Sequence, residues 1–364
     1  MKVILFYFGH PAQYLFAKES IRKLKERHQV VLVLKTKDVL EDLVKSDGHD
    51  YINILPDERG KSKLSIVFSL VKRIFKIFPL IVKYKANVLI STDASVALVG
   101  KLLNRHVITI TEDDYHIIKS LGDLTYPVTS SIFCPAPCDV GRWTHKKIGY
   151  FGYMKLAYLH PKVFTPDPNM VYKYGLVKNY VLIRVAKLTA HHDFGIKGLD
   201  VDLIKNIISI LKSFNLTPYI SSEAPLTEEL KEYELKIKVS DMHHILSFAQ
   251  LIVCDSQSMC VEASMLGIPS LRYSSFAGKI SVLEELEHKY QLTFGVLPGN
   301  NNLLISKLLE ILQLPDFRIT FSERRKNMLK EKINVSEFFT WFVENYPSSK
   351  TIFENDPSFQ FRFK

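Results

Sequence analysis

The sequence predicts an α/β protein of two Rossmann-like domains, each built on a parallel sheet, with the sheets facing a central cleft. Three observations carry this expectation. Strand-like and helix-like segments alternate from the first residues onward. The alternation stops near residue 160 and begins again at Tyr180. At 364 residues the chain is too long for one ordinary core and suits two domains of about 150 to 200 residues each.

The elements follow in order. "VILFYF", Val3 to Phe8, is an apolar run of strand length, and a helical stretch around Tyr14 to Arg27 precedes "VVLVL". "NVLIS", "ASVALVGKLLN" and "HVITI" repeat that order. Such alternation implies parallel strands with crossover helices, because a parallel pair needs a connection long enough to return to the same end of the sheet. "HPKVFTPDPNMVYKYGL" then carries three prolines and no period, which marks a linker near residues 160–178. Beyond it "YVLIRVA" has strand character, Val201 to Phe214 helical character, and "TPYISS", "QLIVC" and "SLRY" strand character again. The expected division is residues 1–165, residues 176–330, and a C-terminal helix and tail over residues 331–364 that packs back on the first domain. The aromatic tail "FENDPSFQFRF" fits neither period.

Composition narrows the class. Apolar residues make up 47% and charged residues 24%, a globular balance. The cysteines are Cys134, Cys138, Cys254 and Cys260, without the paired spacing of a zinc site and few enough for a reducing cytosol. "MKVILFYFGHPAQ" has too short an apolar run for a secretory leader and is expected to be a first buried strand. No run of about 20 uncharged apolar residues occurs, so no segment is expected to span a membrane.

The net charge of +10 is local in origin. Between Arg59 and Thr92 there is no acidic residue, while Arg59, Lys61, Lys63, Lys72, Arg73, Lys76, Lys83 and Lys85 lie there. Drawn as a helix, residues 63–78 place Val67, Leu70, Val71, Ile74, Phe75 and Phe78 on one stripe, with Ser65, Ser69, Lys72, Arg73 and Lys76 opposite. That pattern suits an anionic membrane interface; it equally describes a helix covering a core with a solvated basic side. A cytoplasmic protein, peripheral on the inner face of the membrane, is the expectation. No RNA-binding motif or stacking platform is present, and nucleic acid is not an expected partner.

Ligands of open parallel sheets bind outside the carboxyl ends of the strands. The strand-end loops hold His10, Asp93, a knot of Glu112, Asp113, Asp114 and His116, and the group His191, His192 and Asp193. His10 precedes a proline and has a pKa suited to proton transfer. Asp93 is either a catalytic acid or the N-cap of the helix after it. Residues 254–272, "CDSQSMCVEASMLGIPSLR", bring Ser256, Gln257 and Ser258 to the mouth of a helix expected over Met259 to Leu266. Free N–H groups and the positive end of the helix dipole favour an anion there. Glu262, a turn in, would repel a phosphate but suits a pair of sugar hydroxyls, as an acid does for ribose in dinucleotide sites. The plain alternative makes Ser258 an N-cap and Glu262 a surface charge.

"DMHHILSFAQLIVCDSQSMCVEASMLGIPSLRY" resembles the nucleotide-binding segment of GT-B glycosyltransferases and of the non-hydrolysing UDP-N-acetylglucosamine 2-epimerases, which runs "DSGGxxEEAxxLGxPxLxxR". Asp255, Ser256, Glu262, Ala263, Leu266, Gly267, Pro269 and Leu271 fall in matching places, and Gln257 and Ser258 replace the two glycines. "VLISTDASVALVGKLL" and "HVITITEDDYH" resemble the epimerase segments that carry an acid and a glutamate, at Asp93 and Glu112 here. The epimerase "EAG" is "EDD", its following Arg is His116, and its "HRxExFG" is "TAHHDFG" at Thr189 to Gly195. Overall the chain most resembles a prokaryotic family grouped with these epimerases and with surface-polysaccharide proteins.

The resemblance implies a GT-B-like fold, with Ser256 and Ser258 lining a diphosphate, Glu262 holding the ribose and a loop at Met242 to His244 flanking the base. Arg184 is the candidate cation in place of the altered motif. The candidate donor set is therefore Arg184, His192, Met242, His244, Ser256, Gln257, Ser258 and Glu262. The candidate catalytic set is His10, Asp93, Glu112 and His116, with His10 as base for an acceptor hydroxyl. The expected activity is transfer of a sugar from a nucleoside-diphosphate donor, UDP-linked, to a surface-polysaccharide or lipid-linked acceptor. The competing expectation is an NDP-sugar 2-epimerase or hydrolase of the same fold. No metal and no cofactor besides the nucleotide-sugar substrate is expected, since GT-B-like enzymes generally need none.

Overall fold

The computed structural model describes residues 1–35, 39–55, 63–185 and 198–364, and within residues 63–66 the backbone alone. The chain divides into two compact units, Met1–Val163 with Lys332–Lys364, and Phe164–Glu331.

The first unit is built on seven strands: β1 (Val3–Phe8), β2 (Gln29–Lys35), β3 (Ile52–Leu55), β4 (Val88–Ser91), β5 (His106–Ile110), β6 (Ser131–Pro135) and β7 (Lys147–Tyr150). Their order is β3-β2-β1-β4-β5-β6-β7, and every neighbouring pair runs parallel. Ile4 to Phe8 and Val88 to Ile90 are almost wholly buried, as central strands covered on both faces should be. Leu5, Tyr7, Val31, Val33, Leu89 and Val107 form one side of the core. Chain direction across the sheet reverses between β1 and β4, so this unit's topological switch point lies there.

The helix Lys63–Tyr84 closes that core. Ile77 and Ile81 are fully buried in it, with Ile74, Leu80 and Tyr84 partly buried alongside. This corrects the single stripe expected from sequence. Ile74 and Leu70 face inward, whereas Val67, Val71, Phe75 and Phe78 of the same stripe are exposed. Arg73, expected on the solvated basic side, is buried at 6% exposure. Its Nε donates to Asp93 at 3.2 Å and its Nη1 to Ser69 Oγ at 2.7 Å, which satisfies the charge inside. Among the described residues no helix is long and apolar enough to cross a membrane.

The C-terminal residues complete this unit. Helices Val335–Glu344 and Ser348–Asn355 lead into the turn Pro357–Phe363. Trp341 stacks on Phe359 at 4.6 Å, and Phe338 lies 5.5 Å from Phe363 and 5.7 Å from Phe133 of β6. Aromatic pairs of this kind contribute roughly 0.5–1.5 kcal/mol each beyond their buried area. Gln360 is fully buried, and its Oε1 accepts from the Phe151 amide at 2.6 Å. The tail that has no sequence period is thus an aromatic staple.

The second unit has five strands: β8 (Tyr180–Val185), β9 (Thr217–Ser222), β10 (Ile252–Cys254), β11 (Ser270–Tyr273) and β12 (Thr293–Val296). Their order is β12-β11-β10-β8-β9, again all parallel. Direction reverses between β8 and β10, which places the switch point at the loops after those two strands. Both units are parallel α/β layers of the Rossmann kind.

Candidate functional site

In the first unit the loops after β1, β4 and β5 lie side by side because their strands are neighbours. His10 ends the first loop as the N-cap of the helix Pro11–Lys25, and its Nδ1 accepts from the Ala12 amide at 3.2 Å. Gln13 fastens this loop across the switch point: its Oε1 accepts from the Gly9 amide at 2.9 Å, and its Nε2 donates to Thr92 Oγ1. With Nδ1 accepting, the neutral His10 ring carries its proton on Nε2.

Asp93 is the N-cap of the helix Ala94–Leu102. Its Oδ1 accepts from the Ser95 amide at 2.9 Å and from Ser95 Oγ at 2.5 Å, and Arg73 lies against the carboxylate. Glu112 is also occupied. One oxygen accepts from the Met154 amide at 3.1 Å, and the other from the ammonium of Lys155, which is 4% exposed. Asp114 is fully buried and its Oδ1 accepts from the Asp139 amide at 2.6 Å, a loop-tying contact. His116 is exposed. Two of the four candidate catalytic side chains are thus held by buried cations that the motif comparison did not single out. Lys155 carries a sequence signal: it is a lone lysine in the run "GYMKLAYL".

In the second unit the helix Gln257–Leu266 starts two residues earlier than expected, and its N-cap is Ser256, not Ser258. Ser256 Oγ accepts from the Met259 amide at 3.4 Å. The cap sits at the cap position because "DS" follows β10 directly, and it leaves the amides of Gln257 and Ser258 ahead of the first intrahelical acceptor. Gln257 Nε2 donates to Ser274 Oγ in the loop after β11. At the far end Gly267 has φ of 71°, the left-handed region that favours glycine. A Cβ there would lie 2.9 Å from Arg325 Cδ, so the "LG" pair is required by backbone conformation and packing together.

Glu262 is 6% exposed and lies one turn inside this helix. Its Oε1 is 3.3 Å from His243 Nε2. The stretch expected as a loop over Met242 to His244 is instead the first turn of the helix Met242–Phe248. That helix orients both histidines: His243 toward Glu262, and His244 toward the Asp167 amide, from which Nδ1 accepts at 3.0 Å. Burial holds the His244 pKa below its ordinary value. His243 was not among the expected donor residues. Its signal is its place beside His244 on a helix that packs against the Glu262 helix.

Arg184, at the end of β8, is in register with Cys254 of β10 and Ser221 of β9. Its guanidinium donates to Ser221 Oγ at 2.9 Å and Glu223 Oε1 at 2.7 Å. The same switch-point edge thus holds Arg184, Ser256, Gln257, Ser258 and Glu262. His192 lies outside the described residues. A further cation, Arg272, is fully buried on β11, 3.8 Å from Glu287 and 4.0 Å from Glu284, and its three guanidinium nitrogens make no hydrogen bond among the described residues. Among those residues no group of three His, Cys, Asp or Glu side chains is arranged to hold a metal ion.

No protein-family model and no curated protein sequence matches the chain. Solved structures do. The UDP complex of S. aureus MnaA superposes with a TM-score of 0.69 at 13% identity, over 96% of this chain and 98% of that one. UDP-GlcNAc 2-epimerase from Neisseria meningitidis, bound to UDP-GlcNAc, superposes with a TM-score of 0.68 at 14% identity, over 94% and 99%. The chain has the fold of the UDP-GlcNAc 2-epimerases. The spinosyn forosaminyltransferase SpnP shares it at a TM-score of 0.60 and 13% identity, over 92% and 96%, so the same GT-B-like architecture serves both epimerisation and sugar transfer. At these identities the likeness is one of fold.

Proposed function

We propose that the chain is an enzyme acting on a UDP-linked sugar, and that it transfers the sugar to a surface-polysaccharide or lipid-linked acceptor. The second unit holds the donor. Glu262 carries this reading: a nearly buried carboxylate one turn behind a helix N-terminus, at the switch point of a parallel sheet. The amides of Gln257 and Ser258 and the Ser258 hydroxyl receive the diphosphate, Arg184 adds a cation, and the ribose diol donates to Glu262. That the S. aureus and N. meningitidis proteins are seen with UDP and UDP-GlcNAc supports uridine as the base.

Epimerisation at C2 is the second reading. The number of UDP-GlcNAc 2-epimerases sharing the fold favours it, as does the match of Asp93 and Glu112 to the epimerase segments. Proton abstraction needs an available base, however, and both carboxylates are engaged by cations and amide donors. Transfer asks less of them, since dipoles and cations stabilise a departing diphosphate.

Calorimetric titration with UDP, GDP, CMP and dTDP tests the shared premise. UDP is expected to bind, and Glu262→Gln to weaken it about tenfold, the loss of one charge-assisted hydrogen bond. Absence of binding by all four overturns both readings. Incubation with UDP-GlcNAc in deuterated water separates them: deuterium at C2 selects the epimerase, and its absence with acceptor-dependent UDP release selects the transferase.

A further inference from the structure

The helix Lys63–Tyr84 has more apolar surface than its core can cover. At about 100° per residue, its circumference divides into three sectors. The inward sector holds Leu70, Arg73, Ile74, Ile77, Leu80, Ile81 and Tyr84, all buried or partly buried. Beside it, over roughly 100° of arc, Val67, Phe78, Val71, Val82, Phe75 and Phe68 follow one another around the helix. All six are exposed, Phe68 at 71% and Phe75 at 74%. The remaining sector is lysine: Lys72, Lys83 and Lys76 sit together, also exposed. Lys76 donates to the Ile54 carbonyl at 2.6 Å and so anchors the helix to β3; Lys72 is exposed beside the aromatic arc, and Lys83 is exposed with its ammonium 5.3 Å over the Tyr84 ring.

A contiguous strip of phenylalanine and valine in water is costly, and solvated monomers seldom keep one of this size. Its borders identify what covers it. One flank is lysine, and the sequence over residues 59–92 contains no carboxylate to attract another protein's basic groups. At 22 residues the helix is about 33 Å long, enough to lie along an interface. An apolar arc with lysines along its edge seats its rings at the acyl boundary while the ammonium groups meet lipid phosphates.

We infer that the outward face of this helix docks the protein on an anionic lipid surface, with Phe68, Phe75 and Phe78 inserted and Lys72 and Lys83 paired to headgroup phosphates. The inference stands on exposure and charge in the first unit and does not depend on which sugar chemistry the chain performs. Arg73 takes no part, because it is buried against Asp93.

Flotation of the full chain with vesicles of phosphatidylcholine, with and without phosphatidylglycerol, tests it. The protein is expected to float with the anionic vesicles and to be released by salt. Lys72→Glu with Lys83→Glu is expected to weaken binding roughly thirtyfold, at about fivefold per lysine lost. Phe68→Ser with Phe75→Ser is expected to abolish flotation while leaving the circular dichroism and melting temperature unchanged. Both lysines are exposed, Lys83 over the rim of the partly buried Tyr84 ring at 5.3 Å, so the pair remains a test should the phenylalanine variant misfold. Equal flotation of wild type and lysine variant, or equal binding to neutral vesicles, overturns the inference. So does a protein that ignores vesicles but sediments as a dimer, with the dimer lost in Phe68→Ser/Phe75→Ser. The face would then belong to a second copy.

Discussion

The two units treat their strand-end carboxylates differently. In the first, Asp93 faces Arg73 and Glu112 faces Lys155, cations that are 6% and 4% exposed. In the second, Glu262 faces His243 at 3.3 Å, a partner that is charged only when protonated. A carboxylate locked to a buried cation is a structural tie. Glu262 is paired with an imidazole instead. The difference supports the proposal that the first edge is scaffold and the second binds ligand, although motif resemblance marks both alike.

The sharpest way to break that contrast is at Lys155. Lys155→Ala strands Glu112 in a mostly buried place and is expected to cost about 3 kcal/mol in urea unfolding, while Lys155→Met with Glu112→Leu regains most of it. A cost below about 1 kcal/mol would rank the pair with ordinary surface ion pairs and remove the contrast. In the second unit, Gly295→Ala probes the other buried cation. Its Cβ would lie 2.5 Å from Arg272 Nη2, and a loss of about 1–3 kcal/mol is expected from the same unfolding measurement.

Glu262→Gln sharpens the comparison from the ligand side: a tenfold loss of UDP affinity with less than about 1 kcal/mol of stability change. If stability falls as far as it does at Lys155, Glu262 is a tie as well. The smallest effect is a pH slope. Burial lowers the His244 pKa, so the unfolded chain binds the proton more readily, and stability falls as pH drops through the ordinary histidine value. His49 and His106 of the first unit are lowered for the same reason and add to the slope. Melting temperatures read on either side of pH 6.5 are expected to fall on the acid side, and His244→Gln to flatten part of the change.

The fold class was legible because buried parallel strands are nearly continuous apolar runs. β1, β2, β5 and β8 stand out by composition alone. β3, β6, β7 and β12 do not, since four or five residues carry too little pattern to distinguish strand from loop. At the candidate site the helix mouth was legible from "DSQS", but the partners of its acids were not. Arg73, Lys155 and His243 lie 20, 43 and 19 residues from the carboxylates they meet, and pairing across such distances is set by tertiary packing. The helix Lys63–Tyr84 shows the same limit. Periodicity reveals that it is amphipathic, but two adjacent apolar sectors fit one period, and only the core decides which of them turns inward.

Lys332–Lys364 adds its aromatic staple to the unit that Met1 begins, and Lys2 Nζ donates to the Tyr346 carbonyl at 2.7 Å. Along the chain, therefore, the unit that opens with Val3–Phe8 is completed only after Phe164–Glu331 has passed. Phe164–Glu331 is one uninterrupted stretch and has all its residues at hand while the other still lacks Phe338, Trp341 and Gln360. A truncation near residue 331 would keep every residue of Phe164–Glu331 yet leave the other unit with an uncovered Phe133, so a cut beside one half of the molecule strikes the opposite half.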